Sequence, residues 1–191
     1  MTRIVDVLVV AATARELAPA DGWRTLVCGV GPVEAAVATA AAIAADPPAL
    51  ILHVGIAGAR RASGLVPPAL VIGGAAHYTD LAIPATWAPS VLESDAALVA
   101  AAQRALPDAV TRAIGTSARV GGTTADVAVE AMEGFAVLRA AQRAGVRALE
   151  VRAISNAVEE TDRARWAFEA AFAAITTATP RLVAELRRCV S

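Results

Sequence analysis

The chain contains no lysine; all 17 of its basic residues are arginine. Schiff-base chemistry on a lysine amine is therefore excluded, as is a Walker A phosphate loop, which requires that residue. His53 and His77 are the only histidines, too few for a multi-histidine metal centre. Cys28 and Cys189 lie far apart and give neither a disulfide framework nor zinc-ligand spacing. No apolar run reaches the length of a membrane span, because the Ala-rich stretch from Val33 to Ala45 stops at Asp46-Pro47-Pro48. Asp6 interrupts the first apolar run, so the N-terminus lacks signal-peptide anatomy, and a reduced cytosolic protein is expected. The net charge of −1 argues against an electrostatic nucleic-acid binder.

What remains for chemistry is Asp, Glu, Asn, Ser, Thr and Arg. They are set in a chain that is 57% hydrophobic but only 4% aromatic, which implies a core of Ala, Val, Leu and Ile. A length of 191 residues is read as one domain over 1–191. Apolar β-branched runs predict strands at Ile4–Ala11, Trp23–Cys28, Leu50–Val54, Leu70–Gly74, Ala76–Leu81, Thr111–Thr116, Val127–Ala131 and Ala148–Ser155. Helices are predicted over Val33–Ala45, from Ser94 or Asp95 to about Leu106, over Phe135–Ala144, and from Thr161 or Asp162 onward with a break at Pro180. Alternating strands and helices, with strands apolar along their length, indicate a three-layer α/β/α domain on a central sheet. Ligands in such sheets collect beyond the carboxyl ends of the strands. Glu16, Gly29–Gly31, a glycine turn Gly55-Ile56-Ala57-Gly58, Met132-Glu133 and Asn156 should therefore converge.

Gly29-Val30-Gly31 could pass for a dinucleotide fingerprint, but the third glycine is missing and no ribose-binding acid ends the next strand. A tight turn with close helix packing is the better reading. His53 reads as a core histidine with a satisfied ring, and Cys28 as a small buried residue. His77, Tyr78 and Asp80 fit a pocket wall or subunit contact, or equally a hydrogen-bonded structural cluster. Glu133 stands at a strand-to-helix junction where burial is expected. A buried carboxylate needs partners, and ribose hydroxyls or Arg152 could supply them. Asn156, after Ser155, reads either as a turn residue or as an amide facing a ligand.

Met132-Glu133, followed by Val151-Arg152-Ala153-Ile154-Ser155-Asn156, resembles the purine nucleoside phosphorylase and methylthioadenosine/adenosylhomocysteine nucleosidase superfamily. Ala12-Thr13-Ala14-Arg15-Glu16, Cys28 to Ala35 and His53 to Gly58 resemble that family's first loop, helix start and glycine turn, with Ile56 where serine is usual. The resemblance covers most of 4–80 and 126–175 and is poor over about 82–125. Within the superfamily, Met132-Glu133-Gly134, Ile154-Ser155-Asn156 and Asp162-Arg163-Ala164-Arg165-Trp166 are most similar to the futalosine hydrolases, which remove hypoxanthine from futalosine in the alternative menaquinone pathway. The resemblance implies Glu16 as the base that deprotonates water, Glu133 on the ribose hydroxyls, Met132 against the sugar, and Asn156 on the purine. Gly58, Ile56 and Ser155 would line the substrate site, and Trp166 with Arg163 or Arg165 would meet the benzoate-like 5′ group. It implies no cofactor or metal, a small-molecule nucleoside as partner, and a homodimer. A methylthioadenosine nucleosidase, an inosine/guanosine phosphorylase (kept open by Arg60-Arg61), and a catalytically silent nucleoside-binding protein on the same fold are the alternatives.

Overall fold

The computed structural model describes residues 5–121 and 127–190. Among these residues eight strands, β1 (Val7–Ala11), β2 (Arg24–Val27), β3 (Leu50–Ala59), β4 (Leu70–Tyr78), β5 (Val91–Glu93), β6 (Val110–Thr116), β7 (Val129–Ala131) and β8 (Arg147–Ala157), are interleaved with α1 (Pro32–Ala45), α2 (Ala96–Ala105), α3 (Gly134–Arg143) and α4 (Phe168–Val190). They form one mixed sheet in the order β2-β1-β3-β7-β6-β4-β5, with β8 paired to both β3 and β4. The pairings β3–β7, β7–β6, β6–β4, β4–β8 and β8–β3 close on themselves, so part of the sheet is a small barrel.

The side-chain alternation of β1 shows how the layers are built. Val7 and Val9 pack into a core shared with Leu98 of α2 and with Ile175, Leu182 and Leu186 of α4. Leu8 and Val10 point the other way, into a core with Ala35 and Ile43 of α1 and Val137 and Leu138 of α3. This is the period-two geometry of a strand buried on both faces, and it gives the expected three-layer α/β fold. Ala57, Ala59, Val71, Ile114, Val129, Ala131 and Ile154, all from the ring strands, form a third cluster.

Five local expectations need correction. Gly55–Gly58 is not a turn but the carboxyl half of β3, with a register shift against β8 between Ala57 and Gly58. The strands expected at Leu70–Gly74 and Ala76–Leu81 are one, β4. Asn156 lies within β8, not beyond it. The last helix does not begin at Thr161 or Asp162: Asp162 caps a short 3-10 turn, Arg163–Arg165, and α4 starts at Phe168. Nor does that helix break at Pro180. An internal proline costs about 3 kcal/mol, but Leu182, Val183 and Leu186 bury the following turns against the sheet, and that packing outweighs the local cost. Ile4, placed in the first strand by the sequence, lies outside the described residues.

Candidate active site

A cleft partly open to solvent lies across the carboxyl ends of β1, β3 and β8 and the β7–α3 junction. Its lining includes Glu16, Ile56, Gly58, Met132, Glu133, Ser155, Asn156, Arg163 and Trp166, all marked for substrate by the sequence. Arg60 and Arg61 are not part of the described lining. Arg60 Nε donates to the Val127 carbonyl, and Arg61 pairs with Glu160.

Glu16 closes the short 3-10 turn after β1 and is 3% exposed. Its Oε2 accepts from the Thr13 backbone N–H at 2.8 Å and the Thr13 hydroxyl at 2.9 Å, while Oε1 accepts from the Ile56 N–H at 3.1 Å. These bonds fix the carboxylate at the cleft wall. Gly55 makes the arrangement possible, because a Cβ there would lie 2.3 Å from Arg152 Nη1 and 2.8 Å from Glu16 Oε1.

Glu133 occupies the N-cap position of α3 but does not cap it. The Phe135 N–H instead donates to Thr116 Oγ1 at 2.8 Å, which releases the Glu133 carboxylate for other bonds. Its Oε1 accepts from the Gly31 N–H at 3.1 Å, and Oε2 faces Arg152 Nη2 at 3.3 Å. Gly31 presents that N–H from a backbone with φ of 94°, a conformation suited to glycine. The Gly29–Gly31 turn therefore serves the helix start and the carboxylate.

Beneath the cleft floor lies a buried charge cluster. Arg152 is 1% exposed; its Nε donates to Glu150 Oε1 at 2.7 Å, and its Nη2 also meets His53 Nε2. His53 Nδ1 lies 3.0 Å from the Val10 carbonyl. A carbonyl can only accept, so Nδ1 carries the proton and Nε2 accepts from Arg152. Burial, reinforced by the Arg152 charge, lowers the imidazole well below its ordinary value and keeps it neutral. The core-histidine expectation holds. Cys28 is equally structural: burial, with the Glu133 charge adding to it, pushes its thiol up to about 11, so no thiolate nucleophile forms near neutrality.

Asn156 is 7% exposed and stands beside Gly58 across the β3–β8 ladder. Its Nδ2 donates to the Ala157 carbonyl at 2.9 Å, and its Oδ1 accepts from Ser155 Oγ at 2.8 Å. Ser155 Oγ also lies 3.2 Å from the Ala57 carbonyl, but one hydroxyl proton serves one acceptor at a time. The amide keeps a second N–H and spare acceptor capacity for a ligand.

At the mouth of the cleft Trp166, Phe168 and Phe172 form an aromatic shelf. Ring centroids are 5.4 Å apart for the first pair and 6.1 Å for the second. Trp166 Nε1 donates to the Glu160 carbonyl at 3.0 Å, which anchors the ring. The Arg163 guanidinium lies 5.2 Å from the Trp166 ring and that of Arg15 4.5 Å from the Phe172 ring. Arg165 is not part of the described lining and points to Glu160 and Asp162. Sequence reasoning missed Phe168, Phe172, Arg15 and Thr116; an aromatic–Arg run in an aromatic-poor chain was the available signal for the first two. His77, Tyr78 and Asp80 fall outside the described lining. Tyr78 packs on Phe135, and Asp80 accepts from Ser117 Oγ at 3.0 Å.

The mixed sheet thus sets two fixed carboxylates, Glu16 and Glu133, and the Asn156 amide at its carboxyl edge. The chain belongs to the phosphorylase superfamily, whose family model matches residues 24–190. It is 37% identical, over an alignment of 191 residues spanning 85% of this chain and 79% of the relative, to a futalosine hydrolase of Streptomyces coelicolor. The fold also matches a methylthioadenosine/adenosylhomocysteine nucleosidase of Colwellia psychrerythraea solved with adenine, with TM-score 0.84, 18% identity and 96% of each chain covered. A futalosine hydrolase of Helicobacter pylori matches with TM-score 0.78 at 16% identity, covering 96% of this chain and 97% of that one. The resemblance read from the motifs is thus borne out. Among the described residues, no helix is long and apolar enough to cross a membrane.

Proposed function

We propose that the chain is an N-ribosyl hydrolase that cleaves futalosine to hypoxanthine and dehypoxanthine futalosine, without a cofactor. The observation that carries the reading is the amide of Asn156 in the cleft, together with the 37% identity to a futalosine hydrolase. Breaking the N-glycosidic bond builds positive charge on the ribose and negative charge on the purine. Glu133, hydrogen-bonded to a ribose hydroxyl, stabilises the oxocarbenium-like sugar more than the neutral ground state. Glu16 takes the proton from the attacking water, with Met132 packed against the sugar.

Asn156 reads the base. Hypoxanthine presents acceptors at O6 and N7; the amide donates to O6 and accepts from N7 as it gains a proton. An ionised aspartate could not donate to O6. Adenine with N7 protonated presents two donors, N7–H and the 6-amino group, which the amide, with one acceptor and one donor on that edge, cannot match, so it favours a 6-oxopurine as the base departs. The aromatic shelf supports the 5′ assignment: Trp166, Phe168 and Phe172 can pack on an aryl ring while Arg163 meets its carboxylate. Water rather than phosphate as acceptor fits the engagement of Arg60 and Arg61 outside the described cleft lining. A cytoplasmic homodimer, as the resemblance implies, completes the reading.

The test is a free-base assay with futalosine, inosine and methylthioadenosine, each with and without phosphate. Hypoxanthine from futalosine in both buffers supports the proposal. Adenine release alone overturns the assignment of Asn156; a strict phosphate requirement makes the chain a phosphorylase.

A further inference from the structure

Glu150 has no part in the chemistry above, yet it is fully buried one strand pleat from Arg152. Its Oε1 accepts from Arg152 Nε at 2.7 Å, and among the described residues its Oε2 has no hydrogen-bond partner. The chain makes room for this carboxylate with Gly134, where a Cβ would lie 2.1 Å from Oε2 and 2.2 Å from Oε1. A buried carboxylate with an unpartnered oxygen costs stability. Neutralising Arg152 does not by itself require it, because Glu133 already faces the guanidinium.

The distances show how the guanidinium is shared. Arg152 meets Glu150 at 2.7 Å but Glu133 at 3.3 Å. The first is a short charge-assisted bond, the second a long contact. His53, held neutral, occupies the remaining Nη2 direction without competing as a charge. We propose that Glu150 is a positioning residue for glycosidic cleavage: it holds the Arg152 guanidinium on its own carboxylate and so leaves Glu133 loosely paired and available to the sugar. The inference rests on Glu133 being the sugar-facing carboxylate. Without Glu150, a buried guanidinium would close on the carboxylate that remains. A fully paired Glu133 would retain hydrogen bonds to the ground-state ribose but offer less negative charge to the developing cation. Such a loss falls on kcat more than on KM.

The experiment measures kcat and KM for Glu150→Leu, Glu150→Gln, Gly134→Ala and the Gly134→Ala/Glu150→Leu double variant, on whichever nucleoside the wild-type chain cleaves. Glu150→Leu should lose roughly 10-fold or more in kcat with KM within about threefold. Glu150→Gln, which keeps an acceptor for Arg152 Nε, should recover most of that loss. Gly134→Ala should show the same kcat-selective loss by displacing the carboxylate, and adding it to Glu150→Leu should cost little more. A crystal structure of Glu150→Leu, or of Gly134→Ala if the leucine variant does not fold, should show the Arg152–Glu133 contact shortened to about 2.8 Å. That separation is read independently of turnover. An unchanged Arg152–Glu133 contact, an unchanged kcat, or equal losses in kcat and KM across all variants would overturn the proposal. A wild-type chain that cleaves another nucleoside but not futalosine overturns the substrate reading alone.

Discussion

Gly58 and Asn156 are register partners on adjacent parallel strands, and a Cβ at Gly58 would lie 3.1 Å from the Asn156 amide nitrogen. The missing side chain of one residue is the space in which the other presents its amide. Asn156→Asp should therefore erode the preference for 6-oxopurine over adenine nucleosides, by up to about 10⁴-fold if the amide alone sets it. The ratio of kcat/KM for inosine-type and adenosine-type substrates measures this; an unchanged ratio means that the amide does not read the base. Gly58→Ala should lower kcat/KM by crowding the same amide while leaving the fold intact.

Glu16→Gln and Glu133→Gln should each reduce turnover steeply. Loss of a general base is expected to cost about 10²–10⁴-fold. Thermal unfolding should show both variants folded, since each substitution preserves shape. Turnover near wild type in Glu16→Gln would remove that residue from the role of base.

Trp166→Ala should act on the 5′ side of the substrate and not on the base. KM for a nucleoside with an aromatic 5′ acid should rise by roughly 10-fold, as expected for removal of a packed aromatic contact, while KM for inosine changes little. Arg163→Gln should show the same selectivity if its guanidinium meets the acid. Equal effects on both nucleosides would make the shelf structural.

The buried His53 gives the fold a defined response to acid. Burial and the Arg152 charge hold its folded-state value well below the ordinary 6.5, whereas the unfolded chain titrates near that value. Below about pH 6.5 the unfolded state binds a proton that the folded state refuses, so this contribution to stability is full above that pH and declines as pH falls through it, at about 1.4 kcal/mol per pH unit. Denaturant unfolding should show a total loss of about 1.4 kcal/mol between pH 7.5 and 5.5, with the full slope approached only at the acid end, and His53→Gln should remove it. A slope unchanged by the substitution would place the proton elsewhere.

Much of this site was legible because Glu16, Glu133 and Asn156 occupy positions set by the local pattern of strand, junction and strand end. The rest depends on long-range pairing. Gly55–Gly58 read as a turn because glycines punctuate loops, yet both glycines lie in β3 where Arg152, Glu16 and Asn156 approach the backbone. Pro180 read as a break because its local cost is real, while the packing that offsets it comes from distant strands. Thr116, which frees Glu133 by capping α3 in its place, is separated from Phe135 by 19 residues and carries no local signature.

The central claim is hydrolysis of futalosine at its N-glycosidic bond. Its most direct test is the reaction of the wild-type chain with futalosine in phosphate-free ¹⁸O-labelled water, with both products weighed by mass spectrometry. The account predicts unlabelled hypoxanthine and a single ¹⁸O on the released sugar. Absence of products without phosphate, or a chain that leaves futalosine intact while releasing adenine from methylthioadenosine, would contradict it.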